Sequence, residues 1–418
     1  MHYFQYKNGE LYCEEVAIKE IAEKIGTPFY LYSAKTFKRH FKAFKNAFSE
    51  IKHIICFAIK ANSNLGVLSL LASLGSGADI VSKGELFRAI KSGINPKKIV
   101  YSGVGKREDE IRYALENDIL MFNIESLSEL KAIEKQAKLL DKKAPISFRV
   151  NPDVDPKTHP YISTGLKKNK FGLSRKEAIK AYELAANMEN VEVVGIDCHI
   201  GSQITEIPPF IEALERLLDL LKTLEDKGLK IKYIDIGGGL GIKYHDEAPP
   251  EPDEYASEIL KKLKDMPYTL IIEPGRAIAG NAGILVTKLL YIKDTEEKRF
   301  YIVDAGMNDL ARPSLYKAYH EIIPISEKKD NKKEILADVV GPICETGDFL
   351  ARERNMPLLE EGELLAVMSA GAYGFTMSSN YNSRPRVAEV MVSGNKFQIV
   401  RERETIQDLI SKESLFAL

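Results

Sequence analysis

Between about residue 50 and residue 275 the chain alternates short β-branched runs with longer segments of helical period. That is the pattern of parallel strands joined by crossover helices. Eight such runs can be counted: Ile54 to Ile59, Ala78 to Val81, Lys98 to Tyr101, Ile119 to Asn123, Pro145 to Val150, Val193 to His199, Ile231 to Ile236 and Tyr268 to Glu273. A doubly wound sheet usually ends nearer about five to seven strands, whereas this count with intervening helices is that of a closed (β/α)8 barrel of the TIM type.

Helix boundaries within this stretch carry their own signals. Ser82 with Glu85, Ser126 with Glu129 and Ser174 with Glu177 each read as a capping box. From Pro208 to Lys227, the residues Phe210, Leu214, Leu217, Leu218, Leu221 and Leu224 fall on one helical face, and Gly228 supplies the stop. Such a stripe reads as packing against the barrel. After Gly275 the pattern changes. Ala282 to Tyr291, Arg299 to Asp304, Glu334 to Val340, Glu363 to Ala370 and Val387 to Val392 are β-type runs without regular helices between them. They predict a second, mainly β domain of sandwich or barrel-like form, to which Tyr3 to Glu10 would add strands, bringing the two chain ends together. The expected division is a barrel over residues 31–275 and a β domain from residues 1–30 plus 276–418.

Composition narrows the partners. At 418 residues and 44% hydrophobic content the chain can bury a sizeable core, which excludes a disordered or fibrous protein. Lys plus Arg number 59 against 60 for Asp plus Glu, a formal charge of -1, so nothing favours nucleic acid or an anionic membrane. The four cysteines, Cys13, Cys56, Cys198 and Cys344, lie far apart with no C-x-x-C pair, so reduced thiols are expected and no metal-ligand cluster is visible. Without a basic, then apolar leader or a run of about 18 to 20 apolar residues, a cytoplasmic chain is expected.

In a (β/α)8 barrel the reactive groups sit at the C-terminal strand ends, so polar residues that close an apolar run carry the information. Lys60 closes the first run, in a partly apolar setting that favours Schiff-base chemistry, although a lone lysine there reads more readily as a surface cation than as a catalytic amine. The sixth run ends in Asp197-Cys198-His199, with Ser202 just beyond. The seventh ends in Gly237-Gly238-Gly239-Leu240-Gly241, where backbone N–H groups can approach an anion without side-chain obstruction. This spacing is not the dinucleotide fingerprint, and a phosphate after strand 7 fits the usual barrel position. The eighth ends in Glu273-Pro274-Gly275-Arg276. Singly, each of these has a structural explanation. Together, an amine, an imidazole, an anion cradle and a carboxylate at strands 1, 6, 7 and 8 match what pyridoxal phosphate needs.

Longer motifs point the same way. FAIKANSN at Phe57 to Asn64, HIGSQ at His199 to Gln203, GGGLGI at Gly237 to Ile242, EPGR at Glu273 to Arg276, CETGD at Cys344 to Asp348 and AYGFTMSSNYNSRPRVAEV at Ala372 to Val390 resemble the diaminopimelate decarboxylases. These belong to the alanine-racemase-like fold group of pyridoxal-phosphate enzymes, a barrel plus a β domain. The resemblance spans nearly the whole chain in the right order. It implies decarboxylation of meso-2,6-diaminopimelate at its D-centre to L-lysine and carbon dioxide, the last step of bacterial-type lysine biosynthesis, in a homodimer with shared active sites. It implies Lys60 as the Schiff-base lysine, His199 against the cofactor ring and Glu273 on the pyridine nitrogen. Ser202, Gly238, Gly239 and the Pro274-Gly275-Arg276 turn would hold the phosphate with Tyr373. Arg276, Arg312 and Tyr316 would grip the distal carboxylate, Glu345 would take the distal amine, Tyr373 would also line the substrate site, and Cys344 would reprotonate the α-carbon, Cys344 and Glu345 coming from the neighbouring subunit. Thr158 to Gly172 would form a lid.

Two other readings stay in view. A decarboxylase of the same fold acting on ornithine, arginine or carboxynorspermidine would leave Arg276 and Arg312 without their full partner. A non-catalytic regulatory relative would be expected to lose its reactive groups, yet Lys60, Glu273 and Cys344 are all present. A racemase usually sets an arginine, not a carboxylate such as Glu273, at the pyridine nitrogen.

Overall fold

The computed structural model describes residues 2–155, 158, 164, 169–327 and 334–417. The chain forms two compact units, one of residues 38–243 and 247–278, the other of residues 1–37, 244–246 and 279–418.

The first unit is a closed parallel barrel whose strands follow chain order: His53–Ala58, Gly77–Ile80, Ile99–Tyr101, Met121–Ile124, Ala144–Arg149, Val191–Asp197, Tyr233–Asp235 and Thr269–Ile272. They coincide with the eight runs read from the sequence. Closure is made by the last strand on the first, with Leu270 opposite His53. Inside, Cys56, Val100, Met121, Val194 and Ile271 form an apolar layer. The interior then changes character toward the C-terminal strand ends, where Asp79, Asn123, Ser147, Asp197 and Asp235 are buried. Hydrogen bonds across the barrel join part of this polar layer: Ser147 Oγ donates to Asn123 Oδ1 at 2.6 Å, and Asn123 Nδ2 donates to Asp235 Oδ2 at 3.4 Å. Burial of polar groups costs free energy unless they are paired, so a polar layer at one end of an otherwise apolar barrel marks the end that does chemistry.

Two helical expectations need correction. Helix Pro208–Asp226 buries Phe210, Leu214, Leu217, Leu221 and Leu224 as expected, but Leu220 is buried where Leu218 was expected, and Leu218 is only half-buried. Of the three capping boxes, only Ser174 with Glu177 is reciprocal. Ser82 and Ser126 accept from Glu85 N and Glu129 N, but the glutamates bond the backbone N–H groups of Val81 and Glu125 instead. The cause is the cap conformation: φ is -157° at Ser82 and -160° at Ser126 against -63° at Ser174, and the extended caps turn the preceding N–H into reach.

The second unit is mainly β. Its nine-stranded sheet runs Phe349–Pro357, Glu334–Val340, Arg299–Val303, Gly283–Asp294, Phe29–Ser33, Ala388–Ser393 and Lys396–Arg401, with Leu364–Val367 pairing Gly283–Asp294 and Ile322–Pro324 pairing Leu364–Val367. Phe29–Ser33 is wholly buried and central, bonded to Gly283–Val286 on one side and to Ala388–Val392 on the other. That pairing carries the first boundary past residue 33, to 37/38 instead of 30/31; the second falls at 278/279 instead of 275/276, and residues 244–246 belong to the β unit as well. The opening residues form strands, Phe4–Lys7, Glu10–Cys13 and Val16–Ala17, but in a separate three-stranded sheet. Phe4, Leu11, Cys13 and Val16 from this sheet pack in one core with Phe29, Ile284 and Val390. Among the described residues no helix is long and apolar enough to cross a membrane.

Candidate active site

The first barrel strand ends in a single 3-10 turn, Ile59–Ala61, that carries Lys60 beyond the apolar run. Its ammonium donates to Asp79 Oδ2 at 2.5 Å, and Asp79, on the second strand, is fully buried. Lys60 itself keeps 34% of its side chain exposed, so the amine sits at the boundary between the polar layer and the open mouth.

Glu273 follows the eighth strand and is 5% exposed, and its Oε1 has no hydrogen-bond partner among the described residues. Oxygens of Glu273, Asp197 and Asp235 lie within 4.8 Å of one another, a grouping that barrel closure creates and that no spacing in the sequence reveals. Burial holds the Glu273 carboxyl well above the usual range, and the fields of Asp235, Asp79 and Asp197 add to this while Lys60 opposes it. Asp235 is pushed up to about 7, chiefly by burial, against the Gly237 N–H bond that favours its charged form. Burial and then Asp235 raise Asp197, with Arg149 opposing. A site of this kind favours an added positive charge. A bound pyridoxal phosphate would supply one in its protonated ring nitrogen, a donor of the kind Glu273 Oε1 could accept from.

His199 has a defined tautomer. Gly238 N–H donates to its Nδ1 at 3.1 Å, so the lone pair lies there and the ring proton on Nε2. Burial, then the charges of Arg149 and Lys60, push the imidazole well below its usual range, so the ring is neutral. The glycines of the seventh strand end are required by this close approach. A Cβ on Gly237, whose φ is +67°, would stand 2.5 Å from His199 Nδ1, and one on Gly238 would stand 2.2 Å from the Glu273 carbonyl oxygen. Gly239 O accepts from Ile204 N at 2.9 Å, and the Gln203 amide brackets Ile242 by donating to its carbonyl and accepting from its N–H. Arg276 Nη2 donates to Ser202 Oγ at 3.1 Å, and Ala58 N donates to Pro274 O, which ties the eighth strand end to the Lys60 turn. The barrel unit thus brings Lys60, His199, Ser202, Gly238, Gly239, Glu273, Pro274, Gly275 and Arg276 to one end. An amine, a buried orphan acceptor and a glycine, hydroxyl and guanidinium set on the last three loops fit pyridoxal phosphate.

In the second unit Arg312 and Tyr316 occupy the single-turn helix Arg312–Tyr316, ended by Lys317 at φ 54°. Ser314 Oγ donates to Gly347 O at 2.7 Å, which joins this helix to the turn bearing Cys344 and Glu345. Both of those residues are exposed, and Cys344 N donates to Asn382 Oδ1 at 2.7 Å. The turn is pinned by buried Asp348, which accepts from Ile343 N and Met307 N. Tyr373 is half-buried with φ 55°. The lid expected over Thr158 to Gly172 lies largely outside the described residues.

Sequence reasoning gave no role to Asp79, Asp235, Arg149 or Asp348. Arg149 donates to Glu125 Oε1 at 3.0 Å and to the His199 carbonyl at 3.2 Å, holding the sixth strand end. The available signal was a charged residue inside an apolar strand, as in Ile234-Asp235-Ile236.

A family model described as the pyridoxal binding domain of pyridoxal-dependent decarboxylases matches residues 34–280. The diaminopimelate decarboxylase of Vibrio cholerae is 54% identical over 417 residues, 99% of each chain. A crystal structure of diaminopimelate decarboxylase from Helicobacter pylori complexed with L-lysine is 46% identical, with a TM-score of 0.92 over 95% of this chain and 99% of that one. The M. jannaschii enzyme in complex with L-lysine is 42% identical, with a TM-score of 0.93 over 99% and 98%. With such identity along its whole length and a barrel end built for the cofactor, the chain belongs to the diaminopimelate decarboxylase family of pyridoxal-dependent decarboxylases.

Proposed function

We propose that the protein removes the carboxylate at the D-centre of meso-2,6-diaminopimelate, giving L-lysine and carbon dioxide, the closing step of bacterial-type lysine biosynthesis, in the cytoplasm. The observation that carries the cofactor chemistry is the buried, orphaned Glu273 Oε1 at the same barrel end as Lys60. Pyridoxal phosphate, when bound, supplies the electron sink for the bond that breaks. Lys60 is the amine that would hold it, and Glu273 would accept from its ring nitrogen. Neutral His199 would lie against the ring, while Ser202, Gly238, Gly239, Gly275, Arg276 and Tyr373 would hold the phosphate. Arg276, Arg312 and Tyr316 would bind the distal carboxylate, since a guanidinium fork matches a carboxylate and not an ammonium. Glu345 would take the distal amine, and the Cys344 thiol would deliver its proton to the α-carbon. The exposure of Cys344 and Glu345 supports a homodimer in which they serve the neighbouring subunit's site.

The purified protein, supplied with pyridoxal phosphate, is expected to release carbon dioxide from meso-diaminopimelate with one L-lysine formed per carbon dioxide. It is expected to release none from ornithine, arginine or carboxynorspermidine. Release only from one of these would transfer the reading to that substrate, and release from none would return the regulatory reading.

A further inference from the structure

Arg312 lies against an aromatic wall and a histidine that the assignments above leave without a role. Its Nη1 is 2.7 Å from His320 Nε2, and its guanidinium lies over the Tyr244 ring at 4.5 Å from the centroid. His320 is fully buried, and its Nδ1 is 2.8 Å from the Met368 carbonyl oxygen. A carbonyl only accepts, so Nδ1 carries the proton and Nε2 presents its lone pair to the guanidinium. The backbone fixes where the ring stands. Ile322–Pro324 pairs antiparallel with Leu364–Val367, Ile322 opposite Val367, and Met368 N donates to Glu321 O. At its other side Arg354 Nη1 donates to the His320 carbonyl at 2.9 Å. Tyr244 meets the His320 ring edge-on with centroids 5.4 Å apart, so both contacts of the guanidinium are held by each other as well.

We infer that His320 is a positioning residue for substrate recognition: as a neutral acceptor tied to the Met368 carbonyl, with Tyr244 as the adjoining wall, it fixes the direction in which the Arg312 guanidinium faces the distal carboxylate. A bidentate contact requires the guanidinium plane to be set before the ligand arrives, and one N–H taken by a rigid ring on a sheet edge sets it. This rests on the assignment of Arg312 to the distal carboxylate, and the test separates the two.

L-lysine keeps the distal carboxylate of the substrate and cadaverine lacks it, so the ratio of their inhibition constants against the holoenzyme reads that contact alone. His320→Met, which fills the space without a comparable acceptor, is expected to lower the L-lysine preference about tenfold. KM for meso-diaminopimelate should rise in step, with a smaller change in kcat. His320→Gln, whose amide both accepts from Arg312 and donates to Met368, is expected to restore the ratio to within about twofold. A merely structural role would weaken both ligands alike. If His320→Met does not fold, Tyr244→Leu is read by the same ratio, and an unchanged ratio in the folded variant overturns the inference. Arg312→Met is the control. A collapsed ratio there with an intact ratio in His320→Met refutes the positioning role alone, and an intact ratio in Arg312→Met refutes the underlying assignment.

Discussion

A carboxylate buried beside two others is costly in its charged form unless a cation joins it, and Asp235 shows the consequence. Its pKa is raised to about 7 in the folded chain, mainly by burial, against about 3.9 for an unperturbed aspartate. A raised acid contributes stability that is fully present below about pH 4 and is lost as pH rises through 7. Asp235→Asn removes that loss. In the cofactor-free protein its stability relative to the parent should therefore rise between pH 5 and pH 8, by on the order of 3 kcal/mol. Thermal unfolding across that range measures it, and a difference that does not change with pH would show that the fold does not hold Asp235 in its protonated form. At this scale the sequence is legible where a polar residue closes an apolar run, as Lys60, His199 and Glu273 do. It is silent on Asp79, Asp197, Asp235 and His320, because their partners lie on strands brought alongside only by barrel closure or sheet register.

Elements differ in how much they announce. Each barrel strand is a short apolar run flanked by a helix of clear period, so counting runs identified all eight. Several strands of the second unit escaped notice, Ile322–Pro324 among them. Phe349–Pro357 carries Arg352, Glu353 and Arg354 in succession, and Lys396–Arg401 has no buried residue to alternate with its exposed ones. Both lie at edges of the nine-stranded sheet, where one side of the ladder is open and composition is less constrained. Phe29–Ser33 escaped for the opposite reason: it is central in a sheet whose other strands lie more than 200 residues later or beyond, so nothing local marks its partners. The glycine turn after the seventh strand was legible because four glycines within five residues exceed what a tight turn needs. The structure adds the reason, the approach of His199 and the Glu273 carbonyl.

At the scale of the whole molecule the proposed roles divide between the units. The barrel end holds the groups that fit the cofactor, and the β unit carries Arg312, Tyr316, Cys344, Glu345 and Tyr373. If Cys344 serves the neighbouring subunit, two inactive proteins can repair each other. Mixing Lys60→Ala with Cys344→Ala should recover up to about a quarter of the parental activity after random subunit exchange, since half the dimers are hybrids with one intact site each. Absence of recovery, with exchange confirmed by mass, would place Cys344 in its own subunit's site.

The measurement that bears most directly on the whole account is the ratio of kcat/KM for meso-diaminopimelate to that for D-lysine, which shares the reacting D-centre and distal amine but has no distal carboxylate. A buried arginine left without its partner discriminates strongly, so the ratio should be on the order of 10⁴ and should fall to within about tenfold of unity in Arg312→Met. Comparable turnover of the two substrates by the unaltered protein would contradict the account, because the distal carboxylate would then not be what the β unit recognises.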